Sequence, residues 1–111
     1  MSIYRWSEDM ILVVLPEDLE KDDCLQPVTQ MVRHGHPCDV VVDFSDVQVV
    51  GGPWLTQLLK IQRLAQGRGH RLTLCNVAPA IRGVFAIAHL DDLFAFQEDR
   101  FTALASPQMV G

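Results

Sequence analysis

Three residues of metal-ligand type lie close together near the middle of the chain. His34, His36 and Cys38 occupy alternate positions, which on a strand would put them on one face, and His70 could add a fourth ligand. The spacing matches no common structural zinc pattern. The glycine and proline between these residues indicate a connection from a helix to a strand. We therefore predict no metal site.

Motifs for catalysis are missing from the sequence. It has no Gly-x-Ser-x-Gly elbow, no phosphate-binding loop and no dinucleotide fingerprint. Gly51 and Gly52 resemble a phosphate loop only because they precede a predicted helix, and the lysine and hydroxyl partners are absent. We predict that the protein is not an enzyme and needs no cofactor. Weak nucleotide binding at this helix start stays open as an alternative.

Size and composition favour a small globular protein. The 111 residues suit one domain, predicted over 1–111 with a core over about 3–106, and 49% of them are hydrophobic. No stretch approaches the roughly 20 apolar residues that span a bilayer, and the start does not resemble a signal peptide. The three cysteines form no Cys-x-x-Cys pair. We expect a cytoplasmic protein with reduced thiols and no membrane insertion.

Charge is unevenly distributed along the chain. The net charge of -5 disfavours nucleic acid as a partner, because its affinity rests on phosphate neutralisation. Residues 17–23 contain five acidic side chains, whereas residues 60–82 contain five basic side chains and no acidic one. Such a dipolar surface is usually a solvated face, but it also suits a charged protein partner.

The hydrophobic pattern alternates between strand and helix periods. Short apolar runs over 3–6 and 10–15 predict a hairpin, and further strands are predicted over 40–42, 71–77 and 93–96. Helices are predicted from Asp22 or Asp23 to Gly35, over 53–66, from Pro79, and after Asp99. This order predicts an α/β fold in which an antiparallel hairpin leads into parallel βαβ units. The mixed sheet would have four to five strands and about four helices.

Two segments carry a resemblance to a known family. Residues 39–50, Asp-Val-Val-Val-Asp-Phe-Ser-Asp-Val-Gln-Val-Val, resemble the central strand and following turn of STAS domains. Residues 75–85, with His-Leu-Asp-Asp-Leu behind them at 89–93, resemble the third helix and exit of that family. In order and spacing the similarity covers residues 3 to 106. The chain is thus identified as similar to a STAS domain.

The resemblance implies a function, but this sequence departs from the family pattern at one motif. STAS proteins include bacterial anti-sigma factor antagonists, stressosome subunits, tails of anion transporters and subunits of lipid-transport ABC complexes. In the regulatory members, an anti-sigma kinase phosphorylates a serine of an Asp-Ser-Ser-Gly motif at the start of the second helix. The corresponding positions here are Gly51, Gly52, Pro53 and Trp54, so the two serine positions have no hydroxyl.

The residues expected to form a binding site lie at the start of this second helix. The resemblance implies a partner-binding surface formed by residues 51 to 54 with Thr56. Trp54 has two interpretations, an interface anchor or a core residue that folds inward. Ser45 and Thr56 carry hydroxyls nearby and are alternative phosphosites, although a structural role is favoured for each.

The preferred hypothesis is a non-catalytic protein-binding module of signal transduction and transcription regulation. It resembles an anti-sigma factor antagonist, but it cannot be regulated by phosphorylation at residues 52 and 53. Its partner would be an anti-sigma kinase-like domain. The alternative is a structural STAS subunit of a larger complex, such as a transporter ATPase or a signalling scaffold. A homodimer is left open.

Overall fold

Strands and helices alternate along the chain after an initial hairpin. The computed structural model describes residues 2–19, 25–35, 38–48, 50 and 53–105. The described elements, in chain order, are β1 (Ser2–Ser7), β2 (Met10–Val14), α1 (Gln26–His34), β3 (Asp39–Asp43), α2 (Trp54–Gly67), β4 (Leu72–Cys75), α3 (Pro79–Ile87), β5 (Ala95–Gln97) and α4 (Arg100–Ala105). None of the described helices is long and apolar enough to cross a membrane.

The strands form one mixed sheet in the order β1-β2-β3-β4-β5. β1 is antiparallel to β2, with Tyr4 opposite Leu12, and each later strand is parallel to its neighbour. Each parallel step is bridged by a helix, because parallel strands need a crossover connection. The predicted α/β fold with an N-terminal hairpin and parallel βαβ units is confirmed.

The two faces of the sheet are covered unequally. Side chains at alternate positions of β2, β3 and β4, such as Val13, Val42 and Leu74, form the larger core with α1, α2 and α3. The opposite face carries a smaller cluster with α4: Met10, Leu12, Val41, Cys75, Ala103 and Leu104. β3 is thus buried on both faces, which explains its continuous apolar sequence.

Two strands, β4 and β5, differ most from their predicted extents. β4 is shorter than predicted, and all four of its residues are buried, because α4 covers the face that a two-residue alternation would leave exposed. β5 begins two residues later than predicted. The Leu93 N–H instead donates to the Leu90 carbonyl in a turn, and Phe94 packs in the core.

Individual residues and their hydrogen bonds explain where the helices begin and end. The predicted caps of α1, Asp22 and Asp23, lie outside the described residues. Gly35 ends α1 as predicted, and a Cβ there would come within 2.5 Å of the Met31 carbonyl oxygen, so glycine is needed. The Thr102 N–H donates to Oδ1 of Asp99 at 2.8 Å, which confirms the predicted cap of α4. Ala88 is exposed because α3 ends at Ile87.

Candidate protein-binding surface

The chain leaves β3 at the carboxyl end of the sheet and reaches the start of α2. We call residues 53–56 the α2 entrance; Gly51 and Gly52 lie outside the described residues. Pro53 precedes the first helical residue, Trp54, and both Pro53 and Thr56 are exposed. The first turn of α2 contains no acidic residue, so no carboxylate within it offsets the positive end of the helix dipole.

Trp54 lies in the core. Its side chain is only 4% exposed. Its ring packs edge-to-face between Phe44, at a centroid distance of 6.1 Å, and Phe85, at 5.6 Å. Such pairs add to the energy of burial. Of the two interpretations of Trp54, an interface anchor or a core residue, the structure agrees with the core residue, and the ring packs beneath the α2 entrance.

One face of α2 is polar along its length. Thr56, Lys60 and Arg63 are all exposed, as their spacing of four and three residues predicts. The opposite face is buried through Trp54 and three further residues, Leu58, Ile61 and Ala65. The α2 entrance therefore continues into a polar helix face that carries two cations.

A buried carboxylate lies just before this connection. Asp43 is 0% exposed, and its Oδ1 accepts hydrogen bonds from the Ser45 N–H at 2.8 Å and from Nδ2 of Asn76 at 3.0 Å. Its Oδ2 accepts from Nε and Nη2 of Arg100, each at 2.7 Å. Burial by itself raises the pKa of Asp43. The hydrogen bonds from Ser45 and Asn76 and the charge of Arg100 outweigh burial and lower that pKa below its usual value of 3.8.

This network ties three elements together at one end of the sheet. Asp43 ends β3, Asn76 follows β4 with a positive φ of 55°, and Arg100 begins α4. This network was not predicted from the sequence. The available signal was a set of polar residues placed directly after two buried strands.

Ser45 is exposed but belongs to this network through its backbone. A phosphate on its side chain would lie next to the buried Asp43 carboxylate, and like charges at that distance repel. Thr56 is exposed in the first turn of α2, where a phosphate would meet the positive helix end. Of the two alternative phosphosites, Thr56 is therefore the more suitable on physical grounds. Both stay predictions.

The residues of metal-ligand type are not brought together on a strand. His34 ends α1 and is exposed, Cys38 is buried before β3, and His36 lies outside the described residues. Among the residues that the structure describes, no three His, Cys, Asp or Glu side chains could hold a metal ion. Burial raises the pKa of Cys38, and it raises that of Cys75 to about 12, so both thiols stay protonated near neutral pH.

A separate cavity of about 730 Å³ lies at the amino end of the parallel strands. His70 Nδ1 contacts Oδ1 of Asp39 at 3.0 Å, and the same oxygen accepts a hydrogen bond from the Arg71 N–H. These polar groups are engaged with each other. Among the described residues, none of those predicted to bind a partner or to carry a phosphate lines this cavity; His70, considered above as a metal ligand, does.

The fold and the sequence agree on the family. The family model described as "Mlab, STAS domain" matches residues 7–97, so the chain belongs to the STAS family. No curated protein was found to match the sequence.

Solved structures with the same fold include an anti-sigma factor antagonist, a stressosome chain and a sulfate transporter family protein. The anti-sigma factor antagonist SpoIIAA in its unphosphorylated form has a TM-score of 0.80 at 13% identity, with 99% of this chain and 98% of that chain covered. A chain of the stressosome, a signal integration and transduction hub, has a TM-score of 0.75 at 21% identity, with 96% of both covered. A sulfate transporter family protein from Wolinella succinogenes has a TM-score of 0.66 at 18% identity, with 97% and 90% covered. At these identities the likeness is one of fold.

Proposed function

We propose that this protein is a non-catalytic, cytoplasmic protein-binding module that recognises its partner through the α2 entrance. It is not switched by phosphorylation at residues 52 and 53. The observation that carries the proposal is the absence of a hydroxyl at Gly52 and Pro53, where the regulatory STAS proteins that this chain resembles have serines. Because neither residue can accept a phosphoryl group, recognition there depends on shape and apolar contact.

The shape of the α2 entrance supports this proposal. The ring of Trp54 is packed between two phenylalanines, which leaves Pro53 and Thr56 exposed above it. Proline also restricts the backbone, so less conformational entropy is lost when a partner orders this segment. The α2 entrance is thus a rigid surface with no acidic side chain in the first helical turn.

The second candidate is a structural subunit of a larger complex, such as a transporter ATPase or a signalling scaffold. Two observations favour it: the matching family model is named for Mlab, and solved structures with this fold include a stressosome chain and a sulfate transporter family protein. Affinity purification from the native cell distinguishes the candidates. A regulatory kinase among the copurified proteins supports the first, whereas an ATPase or a scaffold supports the second.

Protein isolated from its own cells, or incubated with a cognate anti-sigma-type kinase and ATP, is expected to carry no phosphate. The reason is the missing acceptor at residues 52 and 53. Intact-mass spectrometry measures this directly. A Pro53→Ser variant restores one hydroxyl and serves as the comparison. Stoichiometric phosphate on Ser45 or Thr56 of the unmodified chain would refute an unswitched module.

A bulky acidic side chain at the α2 entrance is expected to weaken binding to the copurified partner. In Thr56→Glu an exposed side chain becomes larger and gains a negative charge, so partner affinity should fall by about tenfold or more. Stability should change by less than about 0.5 kcal/mol, because the site is on the surface. Titration calorimetry and urea unfolding measure the two effects. The control is Gln66→Glu, an exposed position near the other end of α2. Equal losses in both variants would contradict the assignment.

A further inference from the structure

A second surface feature lies on the same helix, between α1 and α2. A groove of about 310 Å³ is lined by Arg33 of α1 and by five residues of α2: Thr56, Leu59, Lys60, Arg63 and Leu64. The two leucines are half-buried and form an apolar floor, whereas the other four side chains are exposed. Because helical residues rise by about 1.5 Å each, residues 56 to 64 define a groove about 12 Å long.

Within the part of the chain that the structure describes, the cations of this groove have no carboxylate partner. Among the described residues, the side chains of Arg33, Lys60 and Arg63 make no hydrogen bond or ion pair. No Asp or Glu occurs anywhere in α2. A solvated surface helix normally gains from pairs of opposite charge three or four residues apart, and α2 has none. In a chain of net charge -5, this face is locally positive.

The groove is also held in shape. Arg68, just beyond α2, donates from Nη1 to the carbonyl oxygens of Val32 and Gly35, both at 2.9 Å, at the end of α1. It thereby binds carbonyl groups that the helix itself leaves without partners. This contact fixes the end of α1 against α2. A partner would therefore meet a groove that is already formed, which reduces the cost of binding.

We infer that the groove binds an acidic amphipathic helix of the partner protein. The apolar side chains of that helix would cover Leu59 and Leu64, and its carboxylates would pair with Arg33, Lys60 and Arg63. This is a recognised mode of helix docking, and here the charges determine which helices fit. The inference rests on the proposed function, because it extends the binding surface from the α2 entrance along α2 and specifies the chemistry of the partner.

Nucleic acid and anionic membranes suit the groove less well. Both are extended polyanions whose binding depends on the overall field, and the chain as a whole is acidic. The apolar floor is recessed between two helices, and its leucines are only half-exposed. A single helix of a partner reaches such a floor, whereas a flat bilayer surface does not.

Site-specific photo-crosslinking with the full chain in its native lysate tests the inference. A photoreactive amino acid replaces Leu59 in one variant and Pro53 in another, and mass spectrometry identifies the crosslinked peptide. Both positions are expected to crosslink one protein, with the Leu59 crosslink in an acidic amphipathic segment. The double variant K60E/R63E should then bind that purified protein about tenfold or more weakly. The control R5E/R71E makes the same change in net charge at exposed sites away from the groove.

The outcomes separate this inference from the proposed function. Replacing the acidic residues of the crosslinked segment by lysine should restore binding to K60E/R63E, which a general loss of folding would not allow. Three outcomes overturn the groove assignment only: a crosslink from Pro53 alone, a Leu59 crosslink in a neutral or basic segment, or equal binding by K60E/R63E and the control. If neither position crosslinks a protein, both the groove assignment and the proposed function are overturned. Tighter binding of RNA or of phosphatidylglycerol vesicles than of any protein, lost in K60E/R63E, also overturns the inferred occupant.

Discussion

Trp54→Ala is expected to destabilise the protein by about 3–5 kcal/mol, because it leaves a large cavity between Phe44 and Phe85. Trp54 is 4% exposed, so the lost contacts belong to the core and not to a partner surface. Urea unfolding followed by circular dichroism measures the loss. Trp54→Phe keeps an aromatic ring in the same space and should cost much less.

The chain provides a matched control for this experiment. Its other tryptophan, Trp6, lies on the edge strand β1 and is 56% exposed, so Trp6→Ala should change stability by less than about 1 kcal/mol. The fluorescence of the single remaining tryptophan should be blue-shifted in Trp6→Ala and red-shifted in Trp54→Ala. If Trp54→Ala instead weakened partner binding at unchanged stability, the ring would belong to the interface and its place in the core would be refuted.

Asp43→Asn is expected to cost about 2–3 kcal/mol near neutral pH. The amide oxygen can still accept the hydrogen bonds from Ser45 and Asn76. The amide NH2 group then faces Arg100, another donor, and the buried ion pair is lost. Arg100 is 35% exposed and can turn to water, which limits the loss. Asp46→Asn, at an exposed position of the same connection, should change stability by less than about 0.5 kcal/mol.

The pH dependence provides an independent test of the same carboxylate. Because its pKa is lower in the folded protein than its usual value of 3.8, ionised Asp43 stabilises the fold at pH values above that value. This contribution is lost as the pH falls through the folded-state pKa. The stability difference between the unmodified chain and Asp43→Asn should thus be constant above about pH 5 and shrink below about pH 4. A difference that grows on acidification would show that Asp43 is not held in its charged form.

Much of the architecture could be predicted because it depends on short-range periodicity. The apolar run in β3 and the amphipathic pattern of α2 each report burial over a few residues, and together they predicted the α/β fold. The missing hydroxyls at Gly52 and Pro53 are likewise a property of the sequence alone. No coordinates are needed to conclude that neither residue can be phosphorylated.

The direction of individual side chains and the meeting of distant residues required the tertiary structure. The sequence placed Trp54 at the start of a helix, but whether its ring enters the core depends on Phe44 and Phe85 from other elements. Asp43 accepts hydrogen bonds from Asn76 and Arg100, which lie 33 and 57 residues further along the sequence. Arg68 donates to the end of α1, more than 30 residues before it. Local periodicity reports which face of an element is buried, but only the packing of several elements determines which side chains touch.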